Sequence, residues 1–272
     1  MLAVVFDMDG VIFDTETVCV NAWKAIAPEF GVERIEEVFQ DCIGCNQKHS
    51  AEILRSNYGS DFPVDAFFRR SSEKNHRIID EEGLPIKPGA EALFSWLRSV
   101  GAKTAVASST RTATVERELK MAGFYHYFDV VVGGDMVEKS KPEPDIYLHA
   151  CRLLGADPKE CFAVEDSYNG VRSASRAGMN VIMVPDRLEP TEEMEELAEI
   201  VLKDLCEVRG YLQYYKEGER MEDNMGMTNR QFQAFIRLME LVRKLIKLIP
   251  EEEAERAEKE FEAALQLIKE DS

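Results

Sequence analysis

The stretch MLAVVFDMDGVIFDTE, residues 1–16, decides the fold. Leu2 to Phe6 form an unbroken apolar run, and such a run ending in a turn signal reads as a strand buried on both faces. It stops at Asp7 and Asp9, one residue apart, and then at Gly10. In a strand, residues i and i+2 point to the same side, so the two carboxylates would be held together just past the strand's end. Like charges that close call for a counter-ion or a shared proton. Two other readings compete. An EF-hand calcium loop would use Gly10 as its sharp turn and Glu16 as its bidentate ligand, but it would put Val5 at the first ligand position and needs a helix where residues 2–6 read as a strand. A solvated acidic turn needs no chemistry, so the remainder of the chain must discriminate.

Working outward, similar runs recur at KTAVA (103–107), DVVVG (129–133), CFAV (161–164) and NVIMV (180–184), with amphipathic helical segments between them. This alternation predicts an α/β fold: a doubly wound, Rossmann-like parallel sheet covered on both faces. The first two strands are too far apart for a simple crossover. Residues 17–83 carry helical patterns without strand signals, which predicts a helical cap domain inserted over the first strand's end, with PIKPG (85–89) bringing the chain back. The catalytic core would then be 1–16 and 84–215. KEGERMEDNMGM (216–227) is polar and reads as a linker. Beyond it, Thr228 and Gln231 have capping-box spacing, and an amphipathic run followed by Pro250 and a second charged run predicts a C-terminal helical hairpin over 228–272. Its stripe of Phe232, Phe235, Ile236, Met239 and Val242 is too apolar to leave in water. It would dock within its own chain, on a second copy, or on a protein partner.

Composition narrows the function classes. With 272 residues, 45% hydrophobic and 31% charged, the chain reads as globular and large enough for more than one domain. A net charge of −18 argues against nucleic acid as a partner. No basic-then-apolar leader and no apolar run near the roughly 20 residues of a bilayer span is found, so a cytoplasmic location away from membranes is expected. The six cysteines are scattered and read as free thiols; Cys42 and Cys45 have CxxC spacing but no second pair.

In an open α/β sheet, ligands bind beyond the carboxyl ends of the strands. The residues found there are Asp7 and Asp9 after the first strand, Ser108, Ser109 and Thr110 after the second, Lys139 and Lys141 after the third, and Glu165 and Asp166 after the fourth. Each cluster alone has a plain alternative: a helix cap, a surface lysine, an acidic loop. In order at four strand ends they read together as carboxylates for a metal, hydroxyls and amides for an anion, and an ammonium for negative charge.

DMDGVIFDTE, VASST, KSKPEPDIY and VEDSYNG, in that order and spacing, closely resemble the four motifs of the haloacid dehalogenase-like hydrolase superfamily. The helical insertion resembles its helical-capped branch, with the phosphoglycolate phosphatase and β-phosphoglucomutase groups. The resemblance covers residues 1 to about 213. It implies a Mg²⁺-dependent phosphatase acting on a small phosphorylated metabolite through an aspartyl phosphate. Asp7 would be the nucleophile and Asp9 the general acid and base. Ser108 and Lys141 would hold phosphoryl oxygens, with Ser109, Arg111 and Gln47 as further phosphate or substrate contacts. Asp7, Asp9, Glu165 and Asp166 would serve the metal. Haloacid dehalogenation itself is not expected, since it needs neither a second aspartate nor magnesium. The alternatives are a phosphosugar mutase and a regulatory protein acting through its C-terminal helices. In the mutases of this branch a histidine follows the first motif and an arginine sits on the cap loop; the aligned positions here carry Cys19 and Gln47. Around Gln47 the cap loop (Gly44, Cys45, Asn46) is where the family places specificity.

Overall fold

The computed structural model describes residues 1–43 and 47–225, together with Val242, Ala257, Lys259 and Phe261. By contact the chain divides into two compact units, Met1–Val208 and Arg209–Ser272.

In the first unit six strands form one parallel sheet: β1 (Ala3–Phe6), β2 (Lys103–Ser108), β3 (Val130–Gly133), β4 (Cys161–Glu165), β5 (Asn180–Met183) and β6 (Ile200–Val201). Their order in space is β3-β2-β1-β4-β5-β6, all neighbours parallel. The winding reverses between β1 and β4, and at such a switch point the loops beyond the two strands diverge and leave a crevice. Both central strands are fully buried, as an all-parallel sheet covered on each face requires. The expected doubly wound α/β fold is therefore present. β6, which the sequence pattern did not reveal, is two residues long, too short to show a periodicity.

The connection from β1 to β2 carries helices α1 (Thr15–Ile26), α2 (Ile35–Cys42), α3 (Gln47–Tyr58), α4 (Val64–Glu82) and α5 (Ala90–Ser99). The first four are the expected insertion, with their own apolar cluster around Trp23, whose ring meets Phe39 and Phe67 edge-on at 5.1 and 5.0 Å. The segments leading into and out of it run side by side: Phe13 and Ile86 form an antiparallel bridge, Asp14 N donates to Pro85 O, and Lys87 N donates to Ile12 O. Asp14 then caps α1, accepting from Thr17 N at 3.0 Å. Insertion and sheet belong to the same compact unit.

The remaining helices are α6 (Thr112–Met121), α7 (Asp145–Leu154), α8 (Tyr168–Arg176), α9 (Glu192–Leu197) and α10 (Leu205–Met225). α10 corrects one expectation. Residues 216–225, read as a linker, continue the helix, because Glu, Arg and Met are good helix formers and a single Gly218 costs only about 1 kcal/mol. The expected hairpin over 228–272 lies outside the described residues, save the four positions named above. No helix among the described residues is long and apolar enough to cross a membrane.

Candidate active site

The strand ends at the switch point bring Asp7, Lys141, Glu165 and Asp166 together. Lys141 Nζ donates to Asp7 Oδ1 at 2.5 Å, to Glu165 Oε1 at 2.6 Å and to the Ala107 carbonyl at 3.1 Å. The side chains of Lys141, Asp7 and Glu165 are buried, that of Glu165 completely. Lys141 is held in the charged form: burial opposes this, but the two carboxylates more than offset it. Asp7, Glu165 and Asp166 each present an oxygen within 4.8 Å of the others.

Three carboxylates against one ammonium leave two negative charges in a site from which water is largely excluded. Burial accordingly raises the Asp7 carboxyl to about 8, with Lys141 pulling the other way and Glu165 and Asp9 adding to the rise. Asp166 is pushed well up too, by burial first and then by Glu165 and Asp7. A carboxylate cluster with that uncompensated charge fits a hard divalent cation bound through oxygen. Glu165 is the member least free to ligate. Its Oε1 accepts from Lys141 and from Tyr147 Oη at 2.6 Å, and its Oε2 faces Ser167 Oγ at 3.2 Å and the Asp166 amide at 3.2 Å.

Two glycines admit these side chains. Gly10 has φ of +77°, and a Cβ there would stand 2.1 Å from Asp166 Oδ2. Gly170, in the first turn of α8, would place a Cβ 1.9 Å from the Glu165 carboxyl. Both motifs thus carry glycine where a carboxylate must pass.

Asp9 is set apart from the cluster. Its Oδ2 accepts from Ser108 Oγ at 3.2 Å and from Thr110 Oγ1 at 3.0 Å, and Ser108 Oγ in turn accepts from Thr110 N. Ser108 therefore shapes the turn after β2 and does not cap α6; the amide of Thr112 is met instead by Asp135. Ser109, exposed, lines a cleft of about 500 Å³ with Asp7, Asp9, Lys141 and Asp166. Arg111 and Gln47 are not brought into this group. Arg111 is exposed at the N-cap of α6, and Gln47 lines a second cavity beyond Asp9. The sequence reading missed Tyr147, which looks like one more core aromatic on α7, and it named Thr110 beside Ser108 and Ser109 without giving it a role of its own.

Residues 4–184 match the family model described as haloacid dehalogenase-like hydrolase. The chain belongs to that family. Among relatives of these hydrolases, the phosphorylated carbohydrates phosphatase of Thermotoga maritima is 32% identical over 182 residues, covering 67% of this chain and 84% of the relative. The β-phosphoglucomutase of Bacillus subtilis is 28% identical over 190 residues, covering 68% and 83%. Among solved structures, a CbbY variant from Rhodobacter sphaeroides in complex with xylulose-1,5-bisphosphate has 29% identity and a TM-score of 0.61, covering 76% of this chain and 96% of that one. Relatives named as a phosphatase and as a phosphoglucomutase thus share this family, and α10 lies beyond the residues that the family model matches.

Proposed function

We propose that this hydrolase is a Mg²⁺-dependent phosphatase of small phosphomonoesters working through an aspartyl phosphate on Asp7. The observation that carries the reading is the division of labour between two aspartates: Asp7 is paired with an ammonium inside the carboxylate cluster, while Asp9 is hydrogen-bonded by hydroxyls alone among its described side-chain partners. One is placed to attack, the other to carry a proton.

In this scheme an Asp7 oxygen attacks phosphorus as the ester P–O bond breaks, and Asp9 gives its proton to the departing alkoxide oxygen. Asp9, now ionised, takes a proton from the water that attacks the aspartyl phosphate, which releases inorganic phosphate and restores Asp7. Lys141 binds the phosphoryl oxygens as charge shifts onto them, joined by Ser108 once its hydroxyl turns from Asp9 to the phosphate. Glu165 holds Lys141 in register. Asp7, Asp166 and the main-chain carbonyl of Asp9 would hold Mg²⁺, which supplies the charge that lets an anionic nucleophile approach a phosphate.

A mutase reading is favoured by the B. subtilis relative, but the cap position aligned with the mutases' histidine is unsuited to proton transfer. The Cys19 thiol is pushed up to about 12, by burial first and then by Glu16, so it stays protonated. Phosphate release from phenyl phosphate with Mg²⁺, lost on adding EDTA and restored by excess Mg²⁺, is the expected result; release indifferent to the chelator, or none, counts against the proposal.

A further inference from the structure

The loop that follows β5 touches both segments joining the insertion to the sheet. On the returning segment, Lys87 Nζ donates to Asp186 Oδ1 at 2.6 Å, and with the Asp186 side chain only 8% exposed this pair is shielded from salt. The neighbouring Arg187 reaches the outgoing segment. Its Nη2 donates to Thr17 Oγ1 at 2.5 Å and to Asp14 Oδ1 at 3.4 Å, and its Nε stands 3.8 Å from Glu16 Oε2. The far end of the loop is fixed to the sheet unit, because Tyr168 Oη, at the start of α8, donates to the Glu189 carbonyl at 2.5 Å. The loop thus braces both segments against the sheet.

The charges on this brace set Asp14, Glu16 and Asp186 against Lys87 and Arg187. Glu16 Oε2 and Asp186 Oδ2 are both buried without a hydrogen bond, so the two cations carry the balance. Taking Arg187 away leaves three acids facing one lysine, and like charges then push the outgoing segment off the loop. That segment has little slack. Between Asp9 and Asp14 the backbone is a tight turn: Gly10 N donates to Phe13 O at 2.8 Å, Ile12 N and Phe13 N donate to Met8 O at 2.9 and 3.1 Å, and Asp9 and Phe13 form a bridge. A displacement at Asp14 is carried along it to Asp9.

We infer, resting on the phosphatase reading, that Arg187 is a positioning residue for Asp9: by gripping Asp14 and Thr17 it holds the Asp9 carboxyl where the leaving oxygen takes up its proton. Among the described residues Arg187 meets no member of the Asp7 cluster, so attack on phosphorus does not depend on it directly. Its loss is felt as far as the reaction needs that proton. When the Asp7 oxygen bonds to phosphorus and the ester P–O bond breaks, p-nitrophenolate departs as a stable anion with no proton. Phenoxide is more basic and takes one from Asp9.

The test uses the full chain with Mg²⁺ and compares kcat/KM for phenyl phosphate and p-nitrophenyl phosphate. That ratio reports only the steps through departure of the leaving group, so the later attack of water, in which Asp9 also acts, does not enter. Arg187→Gln should lower the value for phenyl phosphate about tenfold, part of the full contribution of a general acid, and the value for p-nitrophenyl phosphate less than about twofold. In an Asp9→Asn background, which has no acid to position, Arg187→Gln should cost the phenyl ester nothing further. Thr17→Val removes the hydroxyl at the other end of the contact and should show the same selectivity, which decides the matter if Arg187→Gln does not fold. Equal losses on both esters, no loss on either, or losses that add to that of Asp9→Asn overturn the inference and leave the hydrolase standing. No phosphate release from either ester by the unaltered chain removes the hydrolase reading and this inference with it.

Discussion

Tyr147 Oη and Lys141 Nζ donate to the same atom, Glu165 Oε1, each at 2.6 Å, and the ammonium stands 5.1 Å from the tyrosine ring centroid. The hydroxyl thus orients the carboxylate that orients the lysine, and the ring faces the cation. Tyr147→Phe keeps the packing and deletes the hydroxyl. It should lower stability by about 1.5–3 kcal/mol, the range for a hydrogen bond to a charged group. It should also lower kcat several-fold while KM for phenyl phosphate stays nearly constant, because Lys141 is loosened where charge develops. Urea unfolding with steady-state kinetics reads both; lost stability with unchanged kcat would make Tyr147 a packing residue only.

Gly170 offers a case where local propensity and packing disagree in sign. A helix-interior Gly→Ala change ordinarily stabilises by about 1 kcal/mol. Here the new methyl would stand 1.9 Å from the Glu165 carboxyl, which is fully buried and cannot swing into solvent. Overpacking of about 1–3 kcal/mol should win, so Gly170→Ala is expected to be less stable and slower in turnover. A melting temperature above that of the unaltered chain would show that Glu165 can move aside.

These two residues mark how far the sequence could be read. Asp7, Asp9, Lys141 and Asp166 were legible because strand ends in a parallel sheet are forced to one edge, and polar residues just past an apolar run have little else to do there. Tyr147 was not, since its role depends on which face of α7 packs on the sheet, a tertiary fact that the spacing of α7 does not contain. Glu118 was hidden for the same reason: on α6 it is one charged residue beside Glu116, Arg117 and Lys120, and only the approach of the insertion turns it into a cavity wall. The linker expected over 216–227 failed differently, at the described residues 216–225. There polarity was taken for a break, although the residues themselves favour helix.

Asp7→Asn should abolish phosphate release while leaving a folded protein, since an amide is no nucleophile at phosphorus and lacks charge for a cation. Asp9→Asn should bind substrate and turn over about 10² to 10⁴ more slowly, the usual contribution of a general acid and base. Circular dichroism establishes folding and a phosphate assay the rates. Near-normal turnover in either folded variant contradicts the assignment.

Glu118 gives stability a pH dependence. Burial raises its carboxyl to about 7 from 4.5, Asp9 adding and Arg117 opposing. In the folded chain the proton is held to about pH 7, whereas the unfolded chain releases it near 4.5. Between those values the unfolded state binds fewer protons, so this group's contribution to stability falls as pH rises and levels off above about 7. Glu118→Gln has no such titration. Its stability relative to the unaltered chain should climb from pH 5 to 7 and then stay flat, as read from urea midpoints; a pH-independent difference rules out the raised pKa.

Hydrolase and mutase share a phosphorylated aspartate and differ in what meets it next: water, or a hydroxyl of a sugar that has turned around while carrying its other phosphate. Turning around needs a cation to hold the non-transferring phosphate, and the cavity beyond Asp9 has neither lysine nor arginine among its described lining residues. Gln47, in that wall, is neutral where the mutases resembled by this chain carry arginine, and Cys19 keeps its proton. Water should therefore win the aspartyl phosphate. β-Glucose 1-phosphate should yield inorganic phosphate, with negligible glucose 6-phosphate even when a glucose bisphosphate primer is supplied. A coupled glucose 6-phosphate assay run beside phosphate detection measures the partition directly. Glucose 6-phosphate forming faster than inorganic phosphate would make the chain a mutase, and would require a cation from outside the described lining to enter the cavity.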